Sequence, residues 1–175
     1  MKIAIIGFSG SGKSTLARRL SEFYGIDVLY LDTVQFKPNW VKRKDEEMTA
    51  IVSSFLENHE AWIIEGNYLR ICEERFLEAD VVIDLVLNRF VCLKNVVHRY
   101  HTFKHKTRPD MADGCMEKLD LEFLKWVFFK GRTRQKKKKH KQIIASAKSG
   151  YRFTKRKQVN EYLKELGVEM NEASM

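Results

Sequence analysis

Cysteine, proline and long apolar runs are all scarce in this sequence. Its three cysteines, Cys72, Cys92 and Cys115, are well separated, and none stands in a C-x-x-C pair. That argues against a zinc ribbon or a dithiol redox motif, and an odd number of separate thiols suits a reducing compartment. Only two prolines, Pro38 and Pro109, occur in 175 residues, so no interdomain linker is evident and residues 1–175 read as a single domain. No stretch approaches the roughly 18 consecutive apolar residues of a membrane-spanning helix. The apolar start, Met1–Gly7, has no small-residue cleavage site and runs straight into a glycine-rich loop. It reads as a buried first strand rather than a signal segment, and the expectation is a cytoplasmic protein. Internal repeats are also absent.

Acidic residues are scarce in one part of the chain. Residues 86–157 hold 21 Lys/Arg against 5 Asp/Glu, while the remainder holds 11 against 18, within a formal net charge of +9. A basic region of this kind faces an anion or is simply solvated. A nucleotide polyphosphate accounts for part of it, and nucleic acid is the competing partner. The one low-complexity piece, Lys136–Lys141, has no interleaved aromatic residue, so a solvated helix face is its favoured reading.

Against these absences stands a regular alternation of short apolar strands and amphipathic helices. Strands are expected at Lys2–Gly7, Val28–Leu31, Ala61–Glu65, Val81–Leu87 and Tyr151–Phe153. Helices are expected at Lys13–Tyr24, Asp45–Asn58, Tyr68–Leu77, Arg89–Phe103, Met116–Phe129, Thr133–Ala147 and Arg156–Leu166, from apolar spacing of three and four. Such alternation predicts an α/β fold of three layers, with a mainly parallel five-stranded sheet and helices on both faces. Ligands of these sheets bind at the carboxyl ends of the strands. Two irregular segments are placed to close over that edge: about 32–44, and a polar, mobile loop at about 104–114.

The chemistry centres on Gly7-Phe8-Ser9-Gly10-Ser11-Gly12-Lys13-Ser14-Thr15, a full G-x-x-x-x-G-K-[ST] match between a strand and a helix. The glycines let the backbone turn tightly enough for successive N–H groups to point at phosphate oxygens. The helix beginning near Lys13 adds its positive dipole end. Lys13 reaches the β- and γ-phosphates of ATP, and the Ser14 hydroxyl is a Mg²⁺ ligand. Gly7, Ser9, Gly10, Ser11, Gly12, Lys13, Ser14 and Thr15 are therefore the expected nucleotide-binding residues.

A second acidic group belongs near the metal. Glu65 ends its strand before Gly66 and is the candidate for that place and for the acceptor site. Asp84 competes from mid-strand, where a hydrogen-bonded structural carboxylate is the other reading. Asp32 ends the second strand and can orient or deprotonate an acceptor hydroxyl, its alternative being a turn or cap residue. Phe36 and Trp40 offer flat faces to a planar acceptor, with core packing as the alternative. Closure needs cations, and Arg99 and Arg108 are the catalytic candidates, with Arg70 at the acceptor edge. His98, His101 and His105 share a helical face, but no carboxylate or thiol completes a zinc geometry.

Four blocks carry a family resemblance: the glycine-rich loop, Leu31-Asp32-x-x-x-Phe36-x-Pro38-x-Trp40, Trp62-Ile63-Ile64-Glu65-Gly66-Asn67-Tyr68, and Gly114-Cys115-x-Glu117 followed by Phe123-Leu124-x-Trp126. In this order they resemble the bacterial DNA topology modulation (FlaR-like) proteins, which look like adenylate-kinase-related P-loop kinases. The resemblance covers nearly the whole chain to about Leu166. It implies an adenylate-kinase-like core with an acceptor-binding insertion at about 32–44 and a lid at about 104–114. Arg108-Pro109 also resembles the lid arginine of shikimate-kinase-like enzymes. The chain departs from adenylate kinases at Glu65-Gly66-Asn67-Tyr68, where they carry Asp-Gly-Phe-Pro-Arg, and in lacking their paired lid arginines. Both departures speak against AMP as acceptor.

Two functions follow as expectations. One is a kinase moving the γ-phosphoryl group of MgATP to a small-molecule acceptor such as a nucleoside or nucleotide. The other is an ATP-binding protein associated with nucleic acid through its basic half. Closing loops with arginines favour the first, since transfer requires exclusion of water.

Overall fold

The computed structural model describes residues 1–168. The first strand, β1 (Lys2–Gly7), is apolar and buried beyond its first residue, as a parallel strand covered on both faces must be. Helix α1 (Lys13–Tyr24) buries Leu16, Ala17 and Leu20. It stops at Gly25, whose left-handed φ of 64° lets its amide bond the Ser21 carbonyl at 2.8 Å. Strand β2 (Val28–Tyr30) runs into a short helix α2 (Leu31–Gln35) and a small hairpin, β3 (Phe36–Lys37) with β4 (Val41–Lys42). Helix α3 (Asp45–Asn58) opens with Asp45, Glu46 and Glu47 at its positive dipole end and buries Met48 and Val52, one turn apart. Then come β5 (Trp62–Glu65), α4 (Glu74–Glu78), β6 (Val81–Leu85) and α5 (Arg89–Phe103). Helices α6 (Leu121–Phe128) and α7 (Arg134–Ser146), strand β7 (Gly150–Phe153) and α8 (Arg156–Glu165) complete the chain order.

The main sheet is parallel throughout, in the order β2-β5-β1-β6-β7. Alternate strand residues feed opposite cores. Ala4, Ile6, Trp62, Ile64 and Val82 pack with Met48, Val52, Phe76 and Ile143 of α3, α4 and α7. Ile3, Ile5, Ile63, Ile83 and Leu85 pack with Leu16, Leu20 and Leu163 of α1 and α8. Each fully buried side chain of this size stabilises by roughly 1.5–3 kcal/mol relative to exposure. The three-layer, five-stranded α/β fold read from the sequence is the fold observed. Among the described residues, no helix is long and apolar enough to cross a membrane.

Register positions the site. Glu65 lies opposite Ile5 on one side and Tyr30 on the other. Gly7, Glu65 and Asp32, two residues beyond Tyr30, therefore emerge at one carboxyl edge.

Four expectations change. The helix expected at Met116–Phe129 is only Leu121–Phe128, because the Asp120 side chain caps it by accepting from the Phe123 amide. The segment 32–44 is not irregular: it is α2 plus the β3–β4 hairpin. The helix expected at Tyr68–Leu77 is displaced to Glu74–Glu78, because buried Arg75 gathers the Gly66, Tyr68 and Ile71 carbonyls and holds the preceding residues as turns. The segment 104–114 is not an open loop. An antiparallel bridge joins Thr107 to Met116, and Arg108, Met111 and Cys115 are buried inside the turn it closes.

Candidate functional site

The phosphate cradle is built by close approach. Gly10 has φ 75°, and a Cβ there would lie 2.4 Å from the Cys92 carbonyl oxygen of α5, so glycine alone fits. The Asn95 side-chain amide donates to the Gly10 carbonyl at 2.8 Å and ties α5 to the loop. On the other flank, Asn67 Oδ1 accepts from the Gly7 amide at 3.0 Å. The Phe8 and Ser11 amides are engaged by Leu85 and Phe8 carbonyls. Those of Gly10, Gly12, Lys13 and Ser14 have no partner among the described residues. They form an unused nest at the start of α1, where the helix dipole adds to the attraction for an anion. Buried Ser11 Oγ also has no partner. Both observations fit a phosphate chain.

Lys13, Ser14 and Glu65 form one cluster. Ser14 Oγ donates to Glu65 Oε2 at 3.0 Å, and Lys13 Nζ lies 3.6 Å from Glu65 Oε1 and bonds the Phe8 carbonyl at 3.3 Å. Burial raises the Glu65 pKa above its ordinary 4.5, opposed by Lys13 and reinforced by Asp32. A cation arriving beside this carboxylate relieves that cost. Ser14 Oγ and the Glu65 carboxylate are hard oxygen donors of the kind Mg²⁺ takes, so the residues present fit it. Asp84 does not join them. Its fully buried carboxylate meets His140 Nδ1 at 2.7 Å and Arg152 at 3.5 Å, sealed between β6, α7 and β7. Among the described residues, no His/Cys/Asp/Glu group of three or more is arranged to hold a metal, and the histidines of α5 are no exception.

Asp32 is half-buried in α2 and accepts from the Tyr68 hydroxyl at 2.7 Å. Burial, and then the Asp32 charge and this bond, push the Tyr68 hydroxyl pKa far up, so it remains a donor. Phe36 and Trp40 are also half-buried and meet edge to face at 5.1 Å. Trp40 is not a core residue. Its φ of 65° is unusual for a bulky side chain, and three contacts hold it: its amide to Cys115 Sγ, its indole N–H to the Met116 carbonyl, and Lys118 over its ring. Arg70 is exposed and has no ion-pair or hydrogen-bond partner among the described residues. No hydrogen bond or ion pair joins it to Asp32 or Phe36 among the described residues. Arg75, five residues on, is the buried arginine of this segment.

Arg99 and Arg108 do converge. Arg99 Nε donates to Glu117 Oε1 at 2.8 Å with a second nitrogen 2.6 Å away, and Arg108 Nε pairs with Glu117 Oε2 at 2.7 Å. Arg108 also reaches Asp110 at 2.8 Å. Burial and the neighbouring Arg108 charge lower the Arg99 pKa, and Glu117 opposes them. The turn is tied to the β3–β4 hairpin, where the Asn39 amide donates to the Asp113 carbonyl at 3.4 Å and the Trp40 amide meets Cys115 Sγ at 3.2 Å. Four further residues belong to the site beyond those predicted: Asn67, Tyr68, Asn95 and Glu117. Three stand inside or next to the sequence blocks already noted; Asn95 had no signal beyond its place on a helix.

No family model matches this sequence, and no curated protein matches it. Solved structures do. The chain is similar to a shikimate kinase from Acinetobacter baumannii in complex with shikimate, at 17% identity and TM-score 0.58, covering 94% of this chain and 92% of that one. It is similar to a deoxyadenosine kinase from M. mycoides with products dCMP and dCDP bound, at 17% identity and TM-score 0.53, covering 95% and 99%. A shikimate kinase from Bacteroides thetaiotaomicron matches at 16% identity and TM-score 0.55, covering 95% and 96%. At these identities the likeness is one of fold: that of P-loop kinases.

Proposed function

We propose that this chain is an ATP-dependent phosphotransferase that moves the γ-phosphoryl group to a hydroxyl of a small, planar acceptor of the nucleoside class. The observation that carries the reading is the Lys13–Glu65–Ser14 cluster at the mouth of an unused amide nest, with Asp32 on the same strand edge. The nest and Lys13 hold the phosphates. Ser14 and Glu65 would hold Mg²⁺, which would supply further charge neutralisation.

On the acceptor side, Tyr68 fixes one Asp32 oxygen, which aims the carboxylate. Asp32 takes the proton of the acceptor hydroxyl as the new oxygen–phosphorus bond forms and the bond to the β-phosphate breaks, leaving ADP. Phe36 and Trp40 give a ring something to stack on. Arg99 and Arg108 supply positive charge on closure, with Glu117 as the residue that positions them. The kinase fold of the neighbours supports the reading, as does the nucleoside acceptor of one of them, a deoxyadenosine kinase. The topology-modulation resemblance is compatible with it but adds no acceptor.

The test is ATP consumption by the purified protein against a panel of nucleosides, nucleotides, shikimate and simple alcohols. Turnover that rises with a nucleoside supports the acceptor class. Turnover with shikimate alone would replace it, and turnover dependent only on DNA would favour the nucleic-acid reading instead.

A further inference from the structure

A second cationic cavity lies beside the phosphate cradle and shares Phe8 with it, but none of its amide nest. It has a volume of about 320 Å³ and opens at the carboxyl edge between β6 and β7. Arg89, Arg132, Lys137 and Arg152 line it together with Phe8 and Thr154, and no carboxylate does. Neither Lys13, Glu65, Asp32, Arg99 nor Arg108 contributes.

The arrangement runs against local electrostatics. Asn88 caps α5, so Arg89 opens that helix, and Lys137 sits in the first turns of α7. Helix N-termini favour acidic side chains, yet neither helix has one in its first turn. Two positive helix ends and four cations thus converge on one space. Among the described residues only Arg152 of these four has a carboxylate partner, Asp84 at 3.5 Å, and that carboxylate is shared with His140. Arg132 is 9% exposed and spends two nitrogens on the Val127 and Leu87 carbonyls, while its remaining terminal nitrogen is buried without a partner. Its guanidinium is pinned over the Phe8 ring at 4.1 Å. Arg89 lies over the Phe128 ring at 4.9 Å, which offsets none of its charge. A fixed, under-satisfied guanidinium among cations that outnumber their carboxylate is where local rules are broken for a ligand.

We infer that this cavity is a second anion site, built for a phosphate group and separate from the nucleotide cradle. Phosphate matches guanidinium geometry, and backbone N–H groups at two helix starts suit its oxygens. The phosphate comes either from a free phosphorylated compound or from a nucleic-acid backbone, and the chemistry at the cavity is the same.

Amide NMR on the ¹⁵N-labelled full chain tests it, with inorganic pyrophosphate as the probe and Lys13→Ala as a background in which the cradle is weakened. The expected result is shifts at Asn88, Arg89 and Thr154 that persist in Lys13→Ala. They should weaken at least about tenfold in affinity in Arg89→Ala/Lys137→Ala. Lys137 is exposed and Arg89 is half-buried, neither belongs to the core, and the rest of the spectrum reports whether the fold is kept. A single-stranded oligonucleotide that displaces pyrophosphate from the same amides identifies a backbone phosphate as the natural source. One that leaves them unmoved identifies a free phosphate compound. Shifts confined to Gly10–Ser14, or shifts at Asn88 and Thr154 that the double variant leaves unchanged, would overturn the inference. Failure of the Gly10–Ser14 amides alone to respond would count against the cradle and leave this site standing.

Discussion

The phosphate cradle and the arginine cluster differ in how the chain makes them. Gly7–Thr15 is one contiguous loop, fixed by glycine geometry and tied on either side by Asn67 and Asn95. The cluster draws Arg99 from the end of α5, Arg108 from the turn beyond it, and Glu117 from the far side of the Thr107–Met116 bridge. One needs only local backbone freedom. The other exists only when a 17-residue connection between α5 and α6 folds back on itself. On the proposed reading, donor binding is intrinsic to the loop, while the charge supplied on closure depends on one buried carboxylate, and substitutions can separate the two.

The largest effect should come from the contiguous side. Lys13→Ala should lower the rate of phosphoryl transfer by about 10²–10³-fold, because it removes a group that neutralises charge in the transition state. Steady-state kinetics check it, and an unchanged rate would remove the cradle from the chemistry. Asp32→Asn should lower kcat by about 10²-fold while leaving ATP affinity nearly intact. Loss of ATP binding instead would assign Asp32 to the donor side.

Glu117→Gln tests the assembled side. It keeps the shape and removes the charge that both arginines share. We expect kcat to fall about tenfold with little change in ATP affinity, and stability to fall by roughly 1–3 kcal/mol in urea unfolding. A loss of stability with full kcat would make Glu117 purely structural. Tyr68→Phe should be milder, a severalfold fall in kcat, read best by whether it vanishes in an Asp32→Asn background, since Tyr68 acts through that carboxylate.

The smallest effect is on stability alone. The Glu65 pKa is raised in the folded protein, so its neutral form is the favoured one. Its contribution is then fully present below the unfolded value and lost as pH rises through the folded one. Without metal, Glu65→Gln should melt higher than the parent at neutral pH, and the gain should fade as pH falls towards 4.5, the ordinary value. A gain independent of pH would contradict the ionisation as its cause.

These differences match what was legible in the sequence. The cradle could be read directly because its residue types and spacing are contiguous. Helices α3 and α5 could be placed to the residue because their apolar spacing spans several turns. The β3–β4 hairpin could not, since two-residue strands carry no period and the turn depends on Trp40 gripping Cys115 and Met116 from 75 or more residues away. Glu117 stood in a recognisable block, but nothing local says that it pairs Arg99 with Arg108. The shift of α4 had the same origin: Arg75 reads as a surface arginine until its carbonyl partners are known.

The most direct test of the central claim follows the label rather than the consumption of ATP. With γ-labelled MgATP and a nucleoside acceptor, the label should appear on the nucleoside hydroxyl in the parent protein. In Lys13→Ala its rate should fall by about 10²-fold or more. Label released only as inorganic phosphate, or transferred as fast by Lys13→Ala as by the parent, would contradict the account.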